Sequence, residues 1–200
     1  DAIDAAPAGG AVAVCAGTYA EAVQIERDLT ITGLGTVVVD GSGLGPTVQV
    51  TGANLVPLAG LALTGGVGLE SGDDKRRGGG VYAPPGASLT LDGCDVFGNT
   101  ADWGGGVYAE SLDLRATTIR DNVAEAGGGV FIVAAGSGTA DVDSACEANT
   151  GASGGGGLYL DGGASWSGGY LRRNESAYGG GASLAAGASH AVDPELEGEL

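Results

Sequence analysis

The chain has 200 residues, 43% of them apolar, enough to bury a continuous core and to exclude a disordered polymer. Its 42 glycines are about three times the usual ~7%, yet they follow no Gly-X-Y period, which excludes collagen and low-complexity linker. A formal charge of −17 leaves no basic face for nucleic acid or an anionic membrane; an acidic coat of this kind holds divalent cations only weakly and nonspecifically.

In chain order, residues 11–77 read as the less regular part. The most apolar window, "NLVPLAGLALTGGVGL", contains Pro57 and falls short of the ~20 apolar residues that span a bilayer, so this segment is not expected to insert in a membrane. Inside it, Val56, Leu58, Leu61, Leu63 and Gly66 stand at offsets 0, 2, 5, 7 and 10. Next comes "SGDDKRRGGG", where Asp73 and Asp74 adjoin Lys75, Arg76 and Arg77. It has two readings, a solvated turn whose charges pair locally or a calcium-assisted, proton-abstracting lyase site.

From residue 78 the pattern becomes regular. Asn99, Asn122, Asn149 and Asn174 each precede a run of glycines that begins five residues later, at steps of 23, 27 and 25 residues. The same offsets recur upstream: Leu89, Leu91, Cys94 and Val96 lead to Asn99, and Leu112, Leu114, Thr117 and Ile119 lead to Asn122. Ala164, Trp166, Gly169 and Leu171 lead to Asn174, while "ADVDSACEAN" fits from Cys146 onward and slips by one residue before it. Apolar residues two apart are the signature of short strands. Three short strands in about 25 residues, repeated, describe an all-β solenoid of parallel stacked coils, about eight in this length. In that stack Arg120, Glu147 and Arg172 line up on the outside as an alternating charge ladder.

The glycine triplets followed by Val or Leu, with "VFGN", "IRDN", "CEAN" and "LRRN" before them, resemble the repeats of chlamydial-type polymorphic outer-membrane proteins over about residues 78–185. That family typically has Phe at the first position of the second motif. The N-terminal part, with Gly17, Thr18, Tyr19 and Glu21 in "GTYAE", is similar to the opening of pectin-lyase-like β-helix proteins, in which a short helix caps the first coil. The two resemblances imply a right-handed parallel β-helix, secreted or at the cell surface, as one domain. Its expected layout is an N-terminal cap at 1–10, less regular coils at 11–77, Asn/Gly-triplet repeats at 78–185 and an acidic C-terminal tail or cap at 186–200.

That fold also carries carbohydrate-active enzymes, so catalysis has to be argued from residues. No catalytic constellation, metal set or cofactor motif is found: the lone His190 has no partner motif and reads as a surface residue, and Cys15, Cys94 and Cys146 have neither metal nor redox spacing. Cys94 and Cys146 fall at inward offsets, roughly 10 Å apart with one coil between them, beyond the ~7 Å Cα limit for a disulfide. Only Asn174, in "NES", has a glycosylation-type context.

The asparagines read instead as a structural turn ladder, bonded along the axis and tolerant of a left-handed turn. Tyr82, Tyr108, Phe131 and Tyr159 follow the inward Val or Leu and so point outward, one per coil. They form either an exposed stripe that binds a glycan or another chain, or a stacked ladder that stabilises the sheet. The expected function is a noncatalytic extracellular scaffold, adhesive or self-assembling, whose partners are copies of itself or surface glycans and proteins. A glycan-binding module is the alternative, and a divergent polysaccharide lyase or hydrolase the third reading. Unpaired strands at the two ends invite end-to-end assembly unless Asp1 to Ala6 and the tail "VDPELEGEL" cap them.

Overall fold

A computed structural model describes residues 2–191. It is a nearly all-β parallel solenoid of about seven turns with one short helix, Ala2–Ala5, at its start. The count is about seven rather than eight because the first coil lacks its first strand and the last described one is incomplete. The tail from Val192 onward, with its expected capping role, lies outside the described residues.

Each coil has three sides. The first strands are Val23–Ile25, Val48–Val50, Val81–Tyr82, the start of Val107–Arg115, the start of Val130–Glu147, Leu158–Leu160 and Ala182–Leu184. They stack in register, so Val48, Val81, Val107, Val130 and Leu158 form one inward column. The second side stacks Leu58, Leu91, Leu114 and Ala140, and the third stacks Leu63, Val96, Ile119, Cys146 and Leu171. Most column partners are branched aliphatics of similar size, and each fully buried Leu or Ile contributes about 1.5–3 kcal/mol.

The offset template holds from Val56 to Ile119 and slips in the last two templates. Trp166 pairs with Gly138, which pairs with Leu112, so Trp166 occupies offset 0 rather than offset 2. Gly138 makes this placement workable: a Cβ there would stand 2.1 Å from the indole. The bend compensates. It is long between Ala140 and Ala145 and short between Gly168 and Tyr170.

One element departs from the parallel plan. Leu69–Ser71 and Lys75–Arg77 form an antiparallel hairpin that interrupts a coil between Gly66 and Gly78. The middle coils also add a short fourth strand after the Asn, at Val123–Ala126, Thr150–Gly154 and Glu175–Ser176. Among the described residues no helix is long and apolar enough to cross a membrane.

Candidate functional site

The turn between the third strand of one coil and the first of the next carries most of the sequence signal. Asn99, Asn122, Asn149 and Asn174 are buried there and linked along the axis. The Nδ2 of Asn99 donates to Oδ1 of Asn122 at 3.1 Å, that of Asn122 to Asn149 at 3.0 Å and that of Asn149 to Asn174 at 3.0 Å. The same Oδ1 atoms accept the backbone N–H of the preceding Asn at 2.9–3.1 Å. Each Nδ2 also donates back to a carbonyl of the preceding coil, those of Leu63, Val96, Ile119 and Cys146.

The left-handed residue of this turn is not the Asn. It is the residue before it, Gly98, Asp121, Ala148 and Arg173, with φ between 52° and 64°. The Asn backbone is therefore free to serve the ladder while its neighbour makes the bend. Asn174 donates its side-chain amide inward, which removes it as an acceptor for a glycan.

Two polar partners escaped the sequence reading. Thr47, fully buried, and the amide of Gly66 donate to Oδ1 of Asn99 at 3.3 and 2.9 Å and close the ladder where no further Asn exists. At the bend between second and third strands, the N–H of Cys94 donates to Oγ1 of Thr117 at 3.2 Å, and the N–H of Thr117 to Oγ of Ser144 at 3.1 Å. This second ladder occupies offset 5, which the template treated as simply inward. A hydroxyl or thiol that also donates to the preceding coil, as Thr117 does to Leu91, is the signal that identifies it.

The glycine triplet makes a tight corner, so the residue before it folds back beside the residue after it. Tyr82, Tyr108, Phe131 and Tyr159 stand in one column on the outer face and stack with ring centroids 4.9–5.6 Å apart. Trp103, from the other arm of the corner, stacks on Phe131 at 5.6 Å, and Val133 and Ala126 complete the cluster. The guanidinium of Arg77 lies 4.7 Å from the Trp103 ring and 5.8 Å from that of Tyr108.

Of the two readings, these contacts favour the stacked ladder over the exposed stripe. Tyr108 and Phe131 are only 8% and 5% exposed, and burial raises the Tyr108 hydroxyl pKa. Tyr82 and Tyr159, at the ends, are half-buried. Stacking against a sugar needs a free ring face, and among the described residues Tyr159 stacks on Phe131 and has Ser183, not an aromatic, in register on its other side.

The acid-and-base cluster resolves into the hairpin. Arg77 pairs with Asp73 and with the Ser71 hydroxyl, and Lys75 pairs with Glu125 of a later coil, which with its carboxylate neighbours raises the lysine pKa. Asp102 accepts from the backbone N–H of Arg76. Asp73 and Arg77 thus pair within the hairpin, Lys75 ties it to a later coil, and Arg77 lies over the aromatic column. Among the described residues no group of three or more His, Cys, Asp and Glu could hold a metal.

The other candidates also find places. His190 is not a surface residue: it stands in register with inward Trp166 and is half-buried, which lowers its pKa. Cys94 and Cys146 are buried free thiols, while Cys15 is exposed. In the charge ladder Arg172 meets Glu147 at 3.5 Å, whereas Arg120 turns to Asp95 and Asp121, each at 2.8 Å.

Among the described residues Gly10–Ala20 pairs only with Leu29–Asp40, and Val23–Ile25 only with Val48–Val50. Between them and the short helix lies a cavity of about 440 Å³ lined by Ile3, Val12, Val14, Tyr19 and Val39, among others. Gly17, Thr18 and Tyr19 of the "GTYAE" segment belong to this edge strand, and Glu21 to the turn after it.

The chain matches no protein-family model, no curated protein and no solved structure.

Proposed function

We propose that this protein is a noncatalytic scaffold, extracellular or at a cell surface, that adheres or self-assembles through its stack of coils. The observation that carries the reading is the regular stack of parallel coils held in register along its length, a repeat architecture with extended sides. The right-handed sense and surface location implied by the resemblance to polymorphic outer-membrane and pectin-lyase-like repeats support it. So does the pairing of the charges of the Asp73–Arg77 hairpin with one another and with neighbouring coils. Sedimentation velocity and electron microscopy of the purified chain test the reading: particles larger than a monomer are expected. A strict monomer at the highest soluble concentration that also fails to bind cell surfaces overturns it, and turnover in a polysaccharide screen overturns its noncatalytic part.

The glycan-binding alternative is favoured by one observation, that among the described residues the half-buried Tyr159 ring has Ser183 and no aromatic in register on one side. It predicts that Tyr159→Ser abolishes retention on a glycan array while Tyr108→Ser, at a buried ring, acts only through stability. Equal retention of wild type and Tyr159→Ser removes the alternative.

A further inference from the structure

We propose that Tyr82 and Tyr108 are a built-in oxidative cross-linking pair: a one-electron oxidant joins their rings, carbon to carbon, as dityrosine and so staples two successive coils. The pair acts within one chain, so its test is independent of whether the scaffold adheres or assembles.

Of the three stacked contacts along the aromatic column, only the first joins two phenols. Tyr82 and Tyr108 stack with ring centroids 5.6 Å apart and planes inclined by 11°. Phe131 stands between Tyr108 and Tyr159 and keeps those two apart. The pair sits on in-register parallel strands, Val81 beside Val107 and Tyr82 beside Tyr108. Parallel neighbours project their side chains alike, so the carbons ortho to the two hydroxyls lie near each other, on the scale of the ~4.8 Å strand spacing.

The pair is held at one end and free to adjust at the other. Tyr108 is buried and clamped between Tyr82 and Phe131, and Trp103 backs Phe131. Tyr82 is half-buried and has Gln49, not an aromatic, in register on its other side. Its ring can tilt towards Tyr108 and can be reached by a small oxidant. Neither phenol donates to a partner among the described residues, whereas Tyr19 donates to the Cys15 carbonyl.

The first equivalent of oxidant takes an electron from Tyr82, and the hydroxyl proton leaves to water. The ortho carbon of the resulting phenoxyl bonds to the ortho carbon of Tyr108. A second equivalent takes the odd electron, and the Tyr108 ortho hydrogen leaves as a proton. The hydrogen remaining on the Tyr82 ortho carbon then moves to its oxygen. Two oxidant molecules are each reduced by one electron, two protons are released, one carbon–carbon bond forms and both hydroxyls are regained. The bond closes a loop that holds one whole coil, from first strand to first strand, and so removes conformations from the unfolded chain.

The test uses the full chain with C15S, which removes the exposed thiol that would be oxidised first. It is treated with two equivalents of hexachloroiridate(IV), a substitution-inert one-electron oxidant, in sodium chloride that screens its repulsion from a chain of charge −17. The expected product is a monomer short of two hydrogens with dityrosine fluorescence, in a yield that does not change with protein concentration. Cleavage before aspartate separates the two tyrosines at Asp92, Asp95 and Asp102, so a cross-linked peptide identifies the pair. Its urea midpoint is expected above that of the untreated chain.

Y82F and Y108F are each expected to abolish the link, and Phe131 shows that the column accepts phenylalanine. Y178F, at a tyrosine 72% exposed, is expected to leave it unchanged. F131Y makes every contact of the column phenol to phenol, and with two further equivalents of oxidant it is expected to add a second link, to Tyr159. Links only between chains, links through other tyrosines, oxidation of Trp103 without a link, or dityrosine that persists in Y82F overturn the proposal. A Tyr82–Tyr108 link that leaves the urea midpoint unmoved overturns the stapling role. Should Y108F fail to fold, Y82F, at the half-buried ring, decides.

Discussion

Asn122 donates to the Val96 carbonyl and to Asn149, and accepts both donors of Asn99, all inside the protein. Replacing it by Ala strands the buried backbone N–H of Asn99, worth about 1–3 kcal/mol when left unmet, and removes the bonds of the Asn122 amide itself, while Nδ2 of Asn99 keeps the carbonyls of Leu63 and Phe97. Asn122→Ala is therefore expected to lower unfolding stability by about 2–4 kcal/mol in urea titration. Burial alone pushes the Cys146 thiol from 9.0 up to about 12. The unfolded chain releases this proton above about pH 9 while the native chain holds it, so raising the pH favours the unfolded state. Stability is expected to fall from pH 9 towards pH 12 at up to about 1.4 kcal/mol per pH unit, and Cys146→Ala should flatten that slope. At this scale the Asn ladder was legible because a ladder demands the same residue once per coil. Thr47 was not, since a cap occurs once and has no recurrence to betray it.

The corner element shows why glycine recurs there. Gly104 takes φ +66° and a Cβ there would stand 2.3 Å from the Val107 carbonyl oxygen, while one on Gly105 would stand 2.5 Å from the Val123 carbonyl oxygen and 2.6 Å from that of Gly128. Both additions force backbone from backbone. Gly104→Ala and Gly105→Ala are each expected to cost more than the ~1 kcal/mol of a left-handed non-glycine residue alone, measured by the same urea titration. The sequence marked the triplet but not the fold-back it produces, because Trp103 and Phe131 are distant by spacing and meet only once the corner is built. The phase error at Trp166 has a related cause: Gly168 and Gly169 carry no side chain to tell inward from outward, and a period of two fits either way.

At the scale of the molecule, fold class and stacking direction were legible, because a solenoid writes its coil length into the sequence. The count of turns was not, since the end coils lack strands. Neither was the hairpin at Leu69–Arg77, an insertion that belongs to one coil only. The whole chain carries −17, so its folded form concentrates acidic charge that the unfolded chain spreads out. Adding salt is expected to raise the urea midpoint of a Cys15→Ser chain held monomeric by dilution, through screening within a Debye length of about 10 Å at 0.1 M. A midpoint that falls with salt would mean that the surface ion pairs outweigh the repulsion.

The asparagine ladder runs one way. Every backbone N–H and one side-chain hydrogen of each Asn in the chain from Asn99 to Asn149 point to the oxygen of the Asn that follows it in the sequence. The backbone N–H of each of these Asn residues is thus satisfied by the successor coil, even though its side-chain amide also holds the coil before. A ribosome delivering the chain from its N-terminus would always leave the newest turn unfinished until the next arrives, so maturation of the stack lags synthesis by one coil.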